Sequence, residues 1–149
     1  MLYFDTSFLV PLILPEATSD AIAAFLRGLP ADQFTVSHWT RVEFSSLIAR
    51  EVRMGALDAG AASQADARFA AMVDESFAIL LPNADDFDLA RAYLGTYETG
   101  LRAGDALHLA IARNHRAKTI FSLDKTLLKA GSALGLPTSA GIGLFGCGN

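Results

Sequence analysis

Short runs of apolar residues alternate with longer segments of helical periodicity along the chain. The short runs are rich in β-branched and aromatic residues, which is typical of buried strands. They lie at 2–4, 34–37, 77–81 and 118–122, and a further short strand is expected at 137–139. Strands that alternate with helices predict a parallel sheet with helices on both faces and right-handed connections. The pattern therefore predicts an α/β fold.

The segments between these runs have the apolar spacing of helices. Pro11 and Pro15 limit the first helix to a short one. Longer helices are predicted from Ser19 to Gly28, from about His38 to Met54, from Asp58 through an alanine-rich stretch, from the acids at 85–88, from Asp105 and from Asp124. The alanine-rich helix has small side chains that allow close packing, either in a helix hairpin or in an interface between copies of the chain.

Two of these helices are expected to bury a defined set of side chains. The helix from His38 is expected to turn five residues inward: Trp39, Val42, Leu47, Ile48 and Val52. The helix after the acids at 85–88 is expected to have an apolar face made of Phe87, Leu89, Ala92, Tyr93 and Leu94.

Length and composition predict a single domain over 1–149. The chain has 149 residues and 52% hydrophobic content, which is enough for one domain with a substantial core. No apolar run approaches the roughly 20 residues of a membrane span, and the N-terminus has no secretory signal. Cys147 is the sole cysteine, so no internal disulfide can form. We expect a cytoplasmic protein without membrane contact, with a flexible glycine-rich tail from Gly141.

The net charge of -4 argues against a nonspecific nucleic-acid binder, which is usually basic. The count, however, is 16 acidic against 12 basic residues, so four acids held by metal ions would leave the remainder balanced. Net charge therefore does not exclude a nucleic-acid substrate.

Asp5 follows the first predicted strand directly, and Thr6 and Ser7 come after it. A carboxylate at this place lies at the carboxyl edge of the sheet, where ligands bind in open α/β folds. Asp124 repeats the arrangement after the fourth strand, with Ser122 before it. Each aspartate also suits the N-cap of the helix that follows, and that role alone explains either residue taken singly.

Two further acids lie near helix starts. Glu43 is within the first turns of the helix after the second strand, and Asp105 opens another helix after Gly104. Acids in a first turn also complement the helix dipole, which is the preferred explanation for the three aspartates at 85–88. His108 shares a helix face with Asp105, so the pair could hold a transition metal. A histidine hydrogen-bonded within the packing is the preferred interpretation.

Asp5, Glu43, Asp105 and Asp124 can converge in one crevice at the carboxyl edge of a parallel sheet. Crowded carboxylates raise one another's pKa values, and a divalent cation removes that conflict. Oxygen-only ligands favour Mg²⁺ or Mn²⁺, and water on such an ion can attack a phosphodiester. The chain has neither a glycine-rich phosphate loop nor the surroundings of a serine nucleophile elbow.

Four segments together resemble the PIN-domain ribonucleases: Phe4-Asp5-Thr6-Ser7, Glu43 in its helix, Gly104-Asp105-Ala106-Leu107-His108-Leu109-Ala110, and Ser122-Leu123-Asp124. Their order and the chain length resemble the VapC-type toxins of toxin–antitoxin pairs. The resemblance covers nearly the whole chain. It implies a three-layer α/β/α fold, metal-dependent endonucleolytic cleavage of RNA, homodimers, and inhibition by a cognate antitoxin protein.

Carried over by position, the resemblance makes Asp5 and Asp105 the principal Mg²⁺ or Mn²⁺ ligands. Glu43 and Asp124 would complete the acidic site. No acid of the family pattern is missing.

Four other residues are expected around these acids. By the same resemblance, Ser7 and Ser122 support the site. By sequence adjacency, Arg102 and Lys125 are the best candidates for holding the flanking phosphates. Single-stranded or looped RNA is the expected substrate, since its backbone can bend into a narrow acidic cleft.

Two alternatives from other classes stay open at this point. A phosphatase similar to the haloacid dehalogenases also has an aspartate at the end of its first strand. That chemistry needs a second aspartate two residues later, where this chain has Ser7. The other alternative is a noncatalytic interaction module with the PIN fold.

Overall fold

The computed structural model describes residues 1–143, which form a three-layer α/β/α fold around a five-stranded parallel sheet. The strands are β1 (Leu2–Phe4), β2 (Phe34–Ser37), β3 (Ala78–Leu80), β4 (Thr119–Phe121) and β5 (Thr138–Ser139), in the order β3-β2-β1-β4-β5. In register, Leu2 pairs with Phe34 on one side and with Thr119 on the other. The predicted fold class is confirmed.

The helices follow the predicted order. They are α1 (Thr6–Leu9), α2 (Ser19–Arg27), α3 (His38–Arg53), α4 (Ala59–Ser76), α5 (Ala84–Leu94), α6 (Ala103–Asn114) and α7 (Lys125–Ala133). As Pro11 predicted, α1 is short, and a turn of 3-10 helix at Val10–Leu12 follows it. Short 3-10 turns also occur at Ala31–Gln33 and Tyr97–Thr99.

Alternate residues of β1 point to opposite faces of the sheet, as the twofold period of a strand requires. On one face, Phe4 packs against four aromatic rings at centroid distances of 5.1 to 5.8 Å: Phe8, Phe34, Phe77 and Phe121. On the other face, Tyr3 and Ile120 belong to a second core with buried residues of α6 and α7. Two cores on opposite sides of one sheet hold the three layers together.

The predicted inward faces of two helices are wrong in part. Val42 and Val52 are 57% and 38% exposed, whereas Phe44 is fully buried and stacks on Phe69 at a centroid distance of 3.9 Å. The buried stripe of α3 runs through Thr40, Phe44 and Ile48 at intervals of one helical turn, so Val42 faces away from the core.

In α5, the buried residues are Asp86 and Ala90, while Phe87 is 52% exposed. Asp86 is not a solvated first-turn acid. Its carboxylate accepts hydrogen bonds from the Asn83 backbone N–H at 3.0 Å and from Asn114 Nδ2 at 2.8 Å. It therefore caps the helix from inside the core.

No helix among residues 1–143 is both long and apolar enough to cross a membrane. Most of the tail predicted to be flexible, including Cys147, falls on residues 144–149, which lie outside the described residues.

Candidate active site

The sheet order makes β1 and β4 neighbours, although β2 and β3 lie between them in sequence. Asp5 follows β1 and is 3% exposed. Its Oδ1 accepts from the Phe8 backbone N–H at 3.1 Å, so Asp5 is the N-cap of α1 as well as an edge carboxylate. Ser7 Oγ donates to Oδ1 at 2.8 Å, and Ser122 Oγ, which follows β4, donates to Oδ2 at 2.7 Å. The two serines hold the carboxylate from both sides.

Asp124 also caps a helix. Its Oδ1 accepts from the backbone N–H groups of Thr126 and Leu127 at 2.8 and 3.1 Å, at the start of α7. The Asp124 backbone N–H in turn donates to Ser122 Oγ at 3.0 Å. Ser122 is thereby fixed between the two aspartates that follow β1 and β4.

Glu43 is bound from behind by a buried hydrogen-bond network. Thr6 Oγ1 donates to Glu43 Oε1 at 2.6 Å, and His108 Nε2 contacts the same oxygen. The other ring nitrogen of His108 lies 2.8 Å from the Tyr3 hydroxyl, which lies 3.0 Å from Ser37 Oγ. His108 is 1% exposed. Both ring nitrogens of His108 are hydrogen-bonded to buried or half-buried side chains. This confirms the predicted packing histidine over a metal site shared with Asp105.

The charges in this network shift each other's pKa values. Burial alone would lower the pKa of His108, but Tyr3, Glu43 and Asp5 outweigh it and raise the pKa to about 10. Burial alone would raise the pKa of Glu43, but the hydrogen bond and positive charge of His108 hold it below its usual value. Glu43 and His108 therefore form an ion pair at neutral pH.

The other two affected carboxylates shift the opposite way. Burial raises the pKa of Asp5, although His108, Ser122 and Ser7 oppose the shift. Burial, the nearby charge of Asp124, and the charges of Asp5 and Glu43 raise the pKa of Asp105 to about 6, against the opposing effect of His108. These acids are close enough for their ionisations to interact.

The structure brings all four predicted acids to one cleft of about 520 Å³ at the carboxyl edge of the sheet. Ser7 and Arg102 also line this cleft, and Ser122 is buried behind Asp5. Lys125 is exposed at the start of α7 and lies outside the cleft lining. All four predicted carboxylates and one of the two predicted cations, Arg102, therefore line the same cleft.

Two cationic residues of the cleft, Arg50 and Arg53, were not predicted. Both are exposed on α3. They share a helical stripe with Glu43 and Ser46, since the four residues are spaced by three, four and three positions. This spacing was available in the sequence and would have placed both arginines beside Glu43.

The donor set fits a divalent metal ion. All four acids offer oxygen ligands, and within the described salt bridges only Glu43 among them is paired with a cation. Burial raises the pKa of Asp105 most, and the neighbouring charges of Asp124, Asp5 and Glu43 add to the shift, so a cation beside these acids would relieve part of it. In residues 1–143 no three acidic, cysteine or histidine side chains already form a metal-holding group, so the carboxylates would need to draw together around an ion.

Gly104 allows α6 to approach Glu43 closely. A Cβ atom at this position would lie 2.7 Å from Glu43 Oε2 and 3.3 Å from Trp39 Cζ2. The Trp39 Nε1–H donates to the Gly104 carbonyl at 3.2 Å, which ties α3 to the first turn of α6. A side chain at position 104 would therefore displace the Glu43 carboxylate or α6.

Solved structures with the same fold cover most of this chain. VapC20 of Mycobacterium tuberculosis, named as a sarcin–ricin loop cleaving toxin, is 20% identical with a TM-score of 0.71, over 91% of this chain and 96% of that one. VapBC-1 from nontypeable Haemophilus influenzae is 16% identical with a TM-score of 0.66, over 93% and 97%. FitAcB from Neisseria gonorrhoeae is 20% identical with a TM-score of 0.65, over 93% and 96%.

No curated protein sequence matches the chain. The family model of the PIN domain, however, matches residues 2–132, which is most of its length. The four acids predicted from the family pattern lie together at the edge of the sheet where the strand order places them. This chain belongs to the PIN domain family.

Proposed function

We propose that this protein is a Mg²⁺- or Mn²⁺-dependent endoribonuclease and the toxin of a type II toxin–antitoxin pair. The observation that carries the proposal is the convergence of Asp5, Glu43, Asp105 and Asp124 on one cleft. Membership of the PIN family supports a nuclease. The names of two structural neighbours, a loop-cleaving toxin and a VapBC complex, support RNA as the substrate and an antitoxin as the partner.

The four acids would hold the metal ion. When bound, it would supply a water of lowered pKa as the nucleophile and positive charge at the phosphate. The chain's own residues prepare the ligands. Ser7 and Ser122 donate hydrogen bonds to the two oxygens of Asp5 and so hold the orientation of its carboxylate in the cleft lining. Preorganised ligands lose little entropy when they bind.

Glu43 has a different position from the three aspartates. Its Oε1 is taken by Thr6 and His108, which leaves Oε2 toward Gly104 and the cleft. The positive charge of His108 keeps Glu43 ionised below neutral pH. Glu43 would therefore act as a fixed acceptor with one free oxygen.

Arginines on both sides of the acids would bind the substrate backbone. Arg102 precedes the first residue of α6, while Arg50 and Arg53 lie on α3, and all three line the cleft. Guanidinium groups bind phosphate by paired hydrogen bonds. Lys125 stays a candidate for a more distant phosphate, since its exposed side chain is next to Asp124.

The partners follow from the same proposal. We expect a cytoplasmic homodimer, in which small side chains of the alanine-rich α4 permit close packing. A cognate antitoxin would lie against the acidic cleft and offer an arginine to the carboxylates. Light scattering that reports 15.8 kDa at micromolar concentration would contradict the dimer. Crosslinks confined to the amino edge of the sheet would contradict the antitoxin placement.

Cleavage of structured RNAs tests the central claim. Activity should require Mg²⁺ or Mn²⁺ and stop with EDTA. Asp5→Asn should lose most of the rate and keep the fold. Asp74→Asn, an exposed acid on α4, should keep both. Cleavage that survives Asp5→Asn would overturn the site assignment, and absence of both cleavage and Mn²⁺-linked stabilisation would favour a noncatalytic module.

A further inference from the structure

A second cavity opens from the acidic cleft. It has a volume of about 420 Å³ and shares Glu43, Arg102, Asp105 and Asp124 with the cleft. Its distinguishing wall consists of Trp39 and Val42 of α3. The volume falls within the range of about 300–1,000 Å³ that is usual for small-molecule pockets. The site therefore has an arginine-lined arm toward Arg53 and an aromatic arm toward Trp39.

Trp39 is held in place at this wall. Its indole N–H donates to the Gly104 carbonyl, and its ring packs against the core formed by α6 and α7. It is half-buried, so part of the ring stays accessible. Because its hydrogen-bond donor is already satisfied, the remaining contact that the ring offers is its apolar surface.

Val42 extends the same apolar wall. It is 57% exposed and turned away from the core stripe of α3. An exposed valine in a cavity with three acids provides no ligand for a metal ion and no donor for a phosphate. Together with Trp39 it makes the only strongly apolar part of the described cavity lining, next to the exposed guanidinium of Arg102.

From this juxtaposition we infer that the cavity walled by Trp39 and Val42 binds an unpaired nucleobase of the RNA, stacked on the indole. The inference rests on the proposed function for the identity of the ligand. A base has a flat π-face that stacks on aromatic rings, and its ribose joins it to a phosphate, which matches an aromatic wall beside an arginine. A base inside a duplex is already stacked and paired, so it cannot enter. The cavity thereby selects single-stranded or looped RNA.

The chain provides its own reporter, because Trp39 is its single tryptophan. Wild-type protein is titrated with a short oligouridylate in EDTA at low salt, so that binding is measured without cleavage. We expect the fluorescence of Trp39 to be quenched. An abasic oligonucleotide of equal length, which keeps the phosphates and lacks the bases, should leave the fluorescence unchanged and bind about tenfold more weakly.

Variants are compared by the anisotropy of a labelled oligonucleotide. Trp39→Ala and Val42→Asp should each weaken binding about tenfold, while Trp39→Phe should stay within about threefold of wild type. Val52→Asp is the matched control for Val42, since Val52 is exposed on the same helix and does not line the cavity. Val42→Asp removes little packing, so its effect does not depend on whether Trp39→Ala folds.

Equal binding of intact and abasic oligonucleotides, or no quenching by either, overturns the inference. Quenching by an apolar peptide but not by RNA also overturns it and assigns the cavity to a protein partner. Metal-dependent cleavage without base-dependent binding would support the proposed nuclease and refute the stacking site. Base-dependent quenching without any metal-dependent cleavage would support the stacking site and refute the proposed nuclease activity.

Discussion

Ser122 Oγ donates a hydrogen bond to Asp5 Oδ2 at 2.7 Å, across 117 positions of sequence. Ser122 is fully buried and lies outside the cleft lining, so it acts on the site through Asp5. Ser122→Ala should weaken Mn²⁺ binding about tenfold, as loss of a hydrogen bond to a metal ligand commonly does. Calorimetric titration measures this, with Ser132→Ala on the exposed side of α7 as the control. Equal Mn²⁺ affinity in wild type and Ser122→Ala would refute the positioning role.

Gly104→Ala should disturb the site although alanine is the better helix former. The added Cβ would meet Glu43 Oε2 at 2.7 Å, so the carboxylate or α6 must shift. We expect at least about a tenfold loss of cleavage, since a small misplacement of a catalytic group is costly. Gly60→Ala in α4 is the matched control, because its Cβ meets only ordinary contact at 3.4 Å. It should keep the activity and change the stability by less than about 1 kcal/mol, since Gly60 lies in the first turn of α4. A fully active Gly104→Ala would contradict this account.

Asp105→Asn should stabilise the metal-free protein above pH 6. The pKa of Asp105 is raised to about 6, so ionisation opposes folding. This penalty is absent below the unfolded pKa near 4, grows between about pH 4 and 6, and is complete above that. Because solvent screens this half-buried group, we expect about 1 kcal/mol, or 2–4 °C.

Thermal melts of the two proteins in EDTA between pH 4 and 8 measure this difference. The melting temperatures should converge as the pH falls toward 4. In Mn²⁺ the wild type should have the higher melting temperature, because only the wild type keeps the Asp105 carboxylate that would bind the ion. A constant difference in melting temperature at every pH would contradict a pKa of Asp105 raised by burial and by the neighbouring acids.

Asp86→Asn should destabilise the protein without touching the site. Asparagine has one acceptor oxygen for the two donors that meet the carboxylate, Asn83 N–H and Asn114 Nδ2. Leaving a buried donor unpaired costs about 1–2 kcal/mol, which lowers the melting temperature by several degrees. Asp88→Asn, exposed on the same helix, should change it by less than about one degree. Equal melting temperatures for Asp86→Asn and Asp88→Asn would contradict a stabilising role of the buried Asp86 carboxylate.

Arg50→Ala and Arg53→Ala should weaken RNA binding independently of base identity. Each removes a cation from the cleft lining. The slope of log affinity against log salt should fall by about 0.7 per residue, the value expected for one single-strand phosphate contact. Arg27→Ala, exposed at the end of α2, should leave the slope unchanged. An unchanged slope in both cleft variants would place the RNA backbone elsewhere.

The acids could be predicted because each is marked locally. Asp5 and Asp124 each follow a short apolar strand and precede a helix, and parallel strands put such residues at one edge. Their capping role, offered as an alternative, turned out to coexist with the edge position. In each case one carboxylate both caps the helix that follows and lines the cleft.

The phase of a helix was harder to predict than its existence. In α3, apolar residues lie on several sides, so their spacing predicts an inward Val42 and does not mark Phe44, and the observed buried stripe also contains the polar Thr40. Which side is buried depends on contacts such as Phe44 with Phe69 of α4, which periodicity does not contain. The hydrogen bond between Tyr3 and His108 joins residues 105 positions apart, so the spacing of residues along the chain could not predict it either.

The order of the strands in the sheet has a consequence for biosynthesis. β1 is made first, yet the neighbour that provides Ser122 and Asp124 is β4, near the other end of the described chain. At about 5–20 residues per second, roughly ten seconds of translation separate the two strands. A nascent chain that has emerged only through α5 lacks Asp105 and Asp124 and has an unpaired side on β1. Asp5 is therefore made long before the residues that complete the acidic cleft, and the cleft can form only after β4 and Asp124 have been synthesised.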